Sequence, residues 1–138
     1  MPAPDFIDTN VLVYAYDASH AEKQRLAQNL VRKALGGEIV TSVQVLAEFA
    51  ATLLHKVSPA VNAEHVIAIL DALSPIKTIA PSEEMVRRAV EARAKYGLHF
   101  YDGMVVAAAE RGGCRRIWSE DLNPGQKYFG ITVDNPFQ

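Results

Sequence analysis

The sequence predicts an α/β fold built around a mostly parallel sheet. Short apolar segments with the character of strands alternate along the chain with longer segments in which apolar residues recur every three to four positions. No segment is repeated and none is of low complexity. At 138 residues the chain is long enough to bury a core of its own, and we expect a single domain over residues 1–138 with a roughly five-stranded sheet.

The first half of the chain is predicted to contain two strands and four helices. The first strand is short and apolar, and the polar triplet Asp8-Thr9-Asn10 follows it. Apolar residues between 21 and 35 form one helical stripe that Gly36-Gly37 ends, and Ser42 can cap the helix that follows the second strand. The predicted strands are 6–7 and 38–41, and the predicted helices are 11–16, 21–35, 43–56 and 63–73.

The second half is predicted to contain three strands and two helices. Ser82 can cap the clearest helix of the chain, and Gly97 follows its end. The predicted buried stripe of this helix consists of Met85, Val86, Ala89 and Val90. The predicted strands are 76–79, 116–118 and 130–133, and the predicted helices are 83–96 and a segment that begins near Asp102 and ends at Gly112-Gly113.

The composition argues against several classes of protein. The formal net charge of −2 gives no global sign of nucleic-acid binding, so a polyanionic partner would need a local basic patch. The single cysteine, Cys114, cannot form an intramolecular disulfide and is interpreted as structural. The first residues lack the basic region of a secretory signal, and no apolar run approaches the roughly 20 residues that span a bilayer. We therefore expect a soluble cytoplasmic protein with no membrane partner.

Four carboxylates stand where local structure does not fully explain them. Asp8 and Asp121 each follow a predicted strand, and ligands bind at the carboxyl ends of parallel strands. Glu48 lies at the flank of an apolar helical stripe, and Asp102 stands at the start of an Ala-rich helix. Each residue type also suits a local role, as a turn, a helix N-terminus, a solvated flank or a loop. We predict that the four side chains converge, although the sequence alone leaves both interpretations open.

A group of like charges would need a cation. Neighbouring carboxylates raise one another's pKa and destabilise the fold unless a positive charge lies between them. Hard divalent ions such as Mg²⁺ and Mn²⁺ take oxygen ligands, and pairs of them can stabilise the attacking and leaving oxygens of a phosphodiester displacement. The four acids are therefore candidate metal ligands for phosphodiester chemistry.

Four short motifs in a fixed order give the chain a family resemblance. The segments FIDTNVLVYAYD, SVQVLAEF, FYDGMVVAAA and IWSEDLNPGQ resemble, in this order and at these separations, the PIN-domain ribonucleases, and in particular the VapC toxins of bacterial type II toxin–antitoxin modules. The resemblance extends over nearly the whole chain and implies a PIN-like three-layer α/β/α sandwich. It also implies an active site with the metal ligands Asp8, Glu48, Asp102 and Asp121, supported by Thr9, Asn10 and Ser119.

The same resemblance implies a function and partners. The protein is expected to be an endoribonuclease that depends on Mg²⁺, with Mn²⁺ as the alternative ion, cleaves RNA to inhibit translation and leaves 5′-phosphate and 3′-hydroxyl ends. Transfer RNA and ribosomal RNA are candidate substrates, a VapB-type antitoxin is the expected inhibitor, and a homodimer is the expected assembly. Two alternatives are a non-catalytic RNA-binding or interaction module that kept the fold, and a haloacid-dehalogenase-like phosphatase. The phosphatase would require a second Asp at the position of Asn10.

Some residues near the motifs modify these expectations. Relatives commonly have Ala after the third acid, and Gly103 at this position is expected to loosen the helix start by up to about 1 kcal/mol. His99 has a side chain that titrates near neutral pH, but the resemblance implies metal-activated water and no histidine base. Three basic pairs are interpreted as solvated edges, with the alternative that one or two of them flank the acids and hold RNA phosphates. These pairs are Arg32-Lys33, Arg87-Arg88 and Arg115-Arg116.

Overall fold

The chain folds around one sheet. The computed structural model describes residues 2–57 and 59–138, and within them the chain forms six strands and six helices. The strands are β1 (Asp5–Ile7), β2 (Ile39–Ser42), β3 (Thr78–Ile79), β4 (Arg116–Trp118), β5 (Lys127–Tyr128) and β6 (Ile131–Asp134). The helices are α1 (Thr9–Tyr14), α2 (Ala21–Leu35), α3 (Val43–His55), α4 (Ala63–Leu73), α5 (Glu83–Tyr96) and α6 (Phe100–Arg111).

The strand order in the sheet is β3-β2-β1-β4-β6-β5. All neighbouring strands are parallel except β5 and β6, which are antiparallel. Every residue of β1 and β2 is buried, as expected for strands covered on both faces. Helix α6 packs against α5 and contacts strands β2, β4 and β6, while helix α1 contacts α2 and α3. The predicted α/β sandwich with a mostly parallel sheet is confirmed.

Most predicted elements are present, with small shifts at their ends. The bounds of α2, α4 and β4 are those predicted. Helix α1 begins at Thr9 and not at Val11, because Asp8 is its N-cap. Helix α6 begins at Phe100, before the predicted start, because His99 is its N-cap. None of the helices in the described ranges is long and apolar enough to cross a membrane.

The structure contains one strand that the sequence pattern did not predict. Strand β5 has two residues and pairs with β6 across a tight turn formed by Phe129 and Gly130. The φ angles of these two residues are 49° and 83°, the positive values of a type I′ hairpin turn. A strand this short shows no alternation of apolar and polar residues, and it was therefore not predicted from the sequence. The sheet has six strands, where roughly five were predicted.

The buried face of α5 differs from the predicted stripe. Met85, Ala89 and Ala92 are buried, whereas Val86 and Val90 are 43% and 56% exposed. The prediction was therefore wrong for these two valines. Ala89 of α5 lies against Gly103 of α6, and this close contact between the two helices leaves the larger Val86 and Val90 on the solvent side of α5.

The carboxyl ends of β1 and β4 lie side by side at one edge of the sheet. Ile7 pairs with Trp118 in the parallel register of these two strands. The backbone N–H of Asp8 then donates to the carbonyl oxygen of Trp118 at 3.0 Å. The residues that follow the two strands, Asp8 and Ser119, are therefore neighbours although 111 positions separate them in the chain.

Candidate active site

Asp8 is a buried carboxylate at the junction of β1 and α1. Its side chain accepts a hydrogen bond from the backbone N–H of Thr9 at 2.7 Å and another from the hydroxyl of Ser119 at 2.8 Å. The residue is only 5% exposed. Asp8 thus has both roles that the sequence left open, because it caps a helix and also contributes a carboxylate to the edge of the sheet.

Ser119 joins the loop after β4 to Asp8. Its hydroxyl donates to Oδ2 of Asp8 and accepts from the backbone N–H groups of Asp121 and Leu122, both at 3.2 Å. The residue is completely buried. One hydroxyl therefore fixes both the orientation of the Asp8 carboxylate and the conformation of the loop that carries Asp121.

Glu48 approaches the same edge from the side of α3. The hydroxyl of Thr9 donates to its Oε2 at 3.2 Å, and the side-chain amide of Gln44 donates to its Oε1 at 2.9 Å. Gln44 was not singled out from the sequence, although its position one helical turn before Glu48 is the signal that could have identified it. These two donors orient the carboxylate, and Thr9 links Glu48 to Asp8 because its backbone N–H also donates to the Asp8 carboxylate.

Asn10 connects α1 with the fourth acid. Its side-chain amide donates to Oδ2 of Asp121 at 2.6 Å. Asp121 itself is exposed, in contrast to Asp8. Asn10 therefore acts on the site as a donor that orients a carboxylate, and the structure gives it a partner that the sequence could not specify.

A second anchor of this loop was missed in the sequence. Glu120 accepts from the hydroxyl of Tyr14 at 2.9 Å and from Nζ of Lys23 at 2.6 Å. Its partners lie in α1 and α2, more than ninety positions earlier in the chain. Nothing in the local sequence pattern indicates this contact, which holds the loop bearing Asp121 against the helices.

The pKa shifts indicate that the four acids influence one another. Burial raises the pKa of Asp8 to about 6, against the hydrogen bonds of Thr9 and Ser119, and the charges of Asp121 and Asp102 raise it further. Burial also raises the pKa of Asp102, and the charges of Asp121 and Glu48 add to this effect. Asp121 is exposed as a residue, but partial desolvation of its carboxyl raises its pKa, and the charges of Glu120 and Glu48 add to this effect. The structure therefore brings all four predicted acids into one electrostatic group.

The chemistry of this group fits a hard cation in part. All of its charged donors are carboxylate oxygens, and their mutual repulsion favours either protons or a cation between them. Among the described residues, however, no three His, Cys, Asp or Glu side chains are arranged so that they could hold a metal ion together. The donor types suit Mg²⁺ or Mn²⁺, whereas the side chains as placed do not form a finished ligand shell.

His99 lies beside this group without a place within it. Its Nδ1 accepts a hydrogen bond from the backbone N–H of Tyr101 at 3.2 Å, so it caps α6. Its charge opposes the raised pKa of Asp102, which shows that the imidazole is within electrostatic reach of that carboxylate.

The basic pair Arg115-Arg116 is engaged by acids other than the four. Arg115 binds Asp5 at the start of β1, at the edge of the sheet opposite the four acids, whereas Arg116 binds Asp134, the last residue of β6. Lys33 and Arg115 line a cavity of about 250 Å³ at this opposite edge. The alternative that this pair holds RNA phosphates beside the acids was therefore wrong for Arg115, while the guanidinium of Arg116 is engaged by Asp134.

A second basic pair, Arg87-Arg88, is engaged in ion pairs on the helices. Arg87 binds Glu83, and Arg88 binds Glu91 and Glu110. These contacts neutralise both guanidinium groups on the surfaces of α5 and α6.

Comparison with known proteins identifies a family. A model of the family described as "PIN domain" matches residues 6–129 of the chain. Comparison with curated protein sequences found no match.

Several solved structures share the fold. A toxin–antitoxin complex from Klebsiella pneumoniae contains a chain with a TM-score of 0.69 and 20% identity, covering 96% of this chain and 97% of that one. VapBC2 from Rickettsia felis, bound to a DNA fragment from its promoter, gives a TM-score of 0.66 at 18% identity, with 95% and 97% covered. VapC20 from Mycobacterium tuberculosis, described as a sarcin-ricin loop cleaving toxin, gives 0.64 at 17% identity, with 85% and 91% covered. At these identities the similarity establishes the fold.

Proposed function

Because this chain belongs to the PIN-domain family, we propose that it is a metal-dependent endoribonuclease and a toxin of the VapC type. The observation that carries the proposal is that Thr9, Asn10 and Ser119 hydrogen-bond to Glu48, Asp121 and Asp8 at the carboxyl ends of β1 and β4, with Asp102 within electrostatic reach of them. A fold stabilised only by its core would gain nothing from four mutually repelling carboxylates at one place. A site that binds cations and acts on phosphodiesters would require them.

Mg²⁺ or Mn²⁺ is the proposed cofactor, held by these four carboxylates. When bound, such an ion supplies activated water and neutralises the charge that develops on the phosphodiester. Among the described residues no three of these side chains surround a common centre, so the carboxylates would have to move closer together to bind one ion jointly.

The surrounding polar residues are proposed to position the acids. Ser119 and the N–H of Thr9 favour the ionised form of Asp8, against the burial that opposes it. The hydroxyl of Thr9 orients Glu48, and Asn10 orients Asp121. These three residues thus keep carboxylate oxygens directed and charged without being metal ligands themselves. The products expected by family resemblance carry 5′-phosphate and 3′-hydroxyl ends.

The proposal is tested by RNA cleavage with purified protein. Labelled RNA should be cut in Mg²⁺ or Mn²⁺ and left intact in chelator, and Asp8→Asn should abolish the cutting. Asp71→Asn is a matched control, because Asp71 is an exposed aspartate on α4, a helix that carries none of the four acids. Cleavage that is undiminished in Asp8→Asn, or that persists in chelator, would contradict the proposal.

Metal binding has a second readout that does not depend on activity. A ligand that binds only the folded state raises its stability, by about 2.7 kcal/mol at a concentration of 100 times Kd. Mn²⁺ should therefore raise the thermal midpoint of the parent and of Asp71→Asn, and should raise that of Asp8→Asn much less. Equal shifts in all three proteins would argue against ligation by Asp8.

The alternatives make different predictions. A non-catalytic module would bind RNA without cutting it in any metal, and the same cleavage assay separates this case. A haloacid-dehalogenase-like phosphatase would need a second carboxylate at the position of Asn10, whose amide instead donates to Asp121. Release of phosphate from a small phosphomonoester, with no cleavage of RNA, would favour the phosphatase.

The proposed partners are an RNA substrate, an antitoxin of the VapB type and a second copy of the chain. Proteins of the same fold are described as members of toxin–antitoxin complexes, which supports an antitoxin as partner. An acidic group is a natural receptor for an inserted Arg or Lys side chain, which could occupy the place of a metal ion. A ribosomal or transfer RNA is the candidate substrate. Sedimentation of the purified chain would test the homodimer.

A further inference from the structure

The rings of His99 and Tyr101 form a stacked pair at the start of α6, the helix that carries Asp102. Tyr101 immediately precedes Asp102, and its side chain is 56% exposed. The centroid of its ring lies 5.9 Å from that of His99, and the two ring planes differ by 29°. Phe100 meets the Tyr101 ring edge-on at 5.2 Å. The exposed ring therefore has neighbours that restrict its orientation, and it still presents more than half of its surface to solvent.

The position of His99 in the chain brings the His99–Tyr101 ring pair to the border of the site. His99 is the N-cap of α6, and Tyr101 and Asp102 follow it in the first turn of that helix, so the stacked rings and the carboxylate share one helix end. Because its Nδ1 accepts from the N–H of Tyr101, the proton of the neutral imidazole lies on Nε2. His99 is thereby fixed as a ring that supports Tyr101 and offers a single outward donor.

An uncharged contact would add to whatever hold a bound cation gives on RNA. Carboxylates alone repel phosphates, Arg115 is bound to Asp5 at the opposite edge of the sheet, and Arg116 is bound to Asp134. Lys23, which is near the loop of Asp121, is bound to Glu120. Stacking of a base on an aromatic ring contributes to binding without any positive charge, because every base has a π-face.

Tyr101 is the side chain best suited to that contact. Among the large hydrophobic side chains that are exposed in residues 2–57 and 59–138, it is the one aromatic. The others are Leu35, Val43, Ile67, Val86 and Val90. Because Tyr101 adjoins the proposed metal ligand Asp102 in the first turn of α6, its exposed ring is available to a base whose phosphate lies at the acids.

We propose that Tyr101, supported by the ring of His99, stacks on an unpaired nucleobase next to the scissile phosphate. This inference rests on the proposed nuclease function and adds to it a side chain that would contact the base beside the cleaved bond. Bases held in a duplex are already stacked and paired, and they cannot reach a side chain at the rim of a site.

The test measures binding of RNA to protein that carries Asp8→Asn, so that cleavage does not interfere. The probes are a single-stranded RNA oligonucleotide that the parent cleaves and copies of it in which one base at a time is removed. With Tyr101 intact, removal of the stacked base beside the cleavage position should weaken binding roughly 5- to 100-fold, as loss of one base–aromatic stack does. Tyr101→Leu should weaken binding of the complete oligonucleotide by a similar factor and abolish the effect of the missing base. Tyr101→Phe should behave like the unsubstituted ring.

Val90→Ala is the matched control, because Val90 has the same exposed fraction and lies on α5. Its affinity for the RNA should be unchanged. The inference is overturned if the penalty for the missing base persists in Tyr101→Leu, or if Tyr101→Leu alters only the oligomeric state, which would make the ring a contact for protein. Metal-dependent cleavage without this coupling would remove the stacking inference and leave the nuclease function standing. Protein that neither binds nor cleaves RNA would remove both.

Discussion

Gly103 of α6 lies directly against the backbone of Ala89 in α5. A β-carbon at position 103 would stand 2.8 Å from the carbonyl oxygen of Ala89 and 3.1 Å from its Cα. Backbone atoms cannot move aside as the end of a flexible side chain can. Gly103 therefore permits the close approach of the two helices. The sequence predicts that this glycine loosens the start of α6 through its conformational freedom, and the packing requirement acts in the opposite direction.

Substitution of this glycine should destabilise the fold. We expect Gly103→Ala to lower the free energy of unfolding by about 1–3 kcal/mol, because the added methyl group overpacks the α5–α6 contact. Gly36→Ala is the matched control, since Gly36 has a right-handed backbone and a β-carbon there would make only ordinary contacts. Urea unfolding of both variants checks the prediction. An unchanged midpoint for Gly103→Ala would show that the helices separate at little cost.

The sequence predicted the elements of this fold better than the contacts between them. Helices α2 and α4 were predicted with their observed bounds, because local signals end both of them: a glycine pair and a serine followed by proline. The exposed valines Val86 and Val90 were misassigned because the face that α5 buries depends on how closely α6 approaches, which periodicity does not encode.

The candidate site shows the same division. The acids at the ends of β1 and β4 could be selected because parallel strands place their carboxyl ends together. The partners of these acids could not, since Thr9 and Glu48 are 39 positions apart and Asn10 and Asp121 are 111 apart. Such pairs are decided by strand order and helix packing, and no local pattern specifies which donor meets which carboxylate.

Ser119 should contribute to stability as well as to the site. Its replacement by Ala would leave Oδ2 of Asp8 and the N–H groups of Asp121 and Leu122 without their buried partner. We expect a loss of about 1–3 kcal/mol and a further rise in the pKa of Asp8, whose charged form the hydroxyl favours. Ser19→Ala is the comparison, because the exposed Ser19 bonds only to Asp17 in its own loop among the described contacts. Thermal midpoints that agree between the two variants would contradict the role given to Ser119.

Asp8 should make the stability of the metal-free protein fall as pH rises. Its pKa is raised from 3.8 to about 6 in the folded protein, so the folded state keeps a proton that the unfolded chain loses between these values. The stabilisation is fully present below about pH 4 and is lost as pH increases through about 6, with a total on the order of 2–3 kcal/mol. In chelator, the thermal midpoint of the parent should decline across this window relative to that of Asp8→Asn.

The comparison with Asp8→Asn isolates this effect from other groups. Any change that the amide makes to the hydrogen bond with Ser119 does not depend on pH, so it shifts the whole profile without altering its slope. Asp71→Asn should follow the parent at every pH. Parallel profiles for the parent and Asp8→Asn would mean that the pKa of Asp8 is the same in the folded protein as in the unfolded chain.

If the chain is the proposed ribonuclease toxin, its expression in a bacterium should arrest growth, because unrestrained cleavage of RNA stops translation. The arrest should be relieved by an antitoxin encoded beside the gene, if a cationic side chain of that partner enters the acidic group and excludes the metal. Asp8→Asn should be harmless both alone and with the antitoxin. It removes the buried carboxylate to which Thr9 and Ser119 both donate hydrogen bonds. Asp71→Asn should arrest growth like the parent. Growth curves of these strains decide the matter, because arrest that is equally strong with Asp8→Asn must come from an activity other than metal-dependent cleavage of RNA.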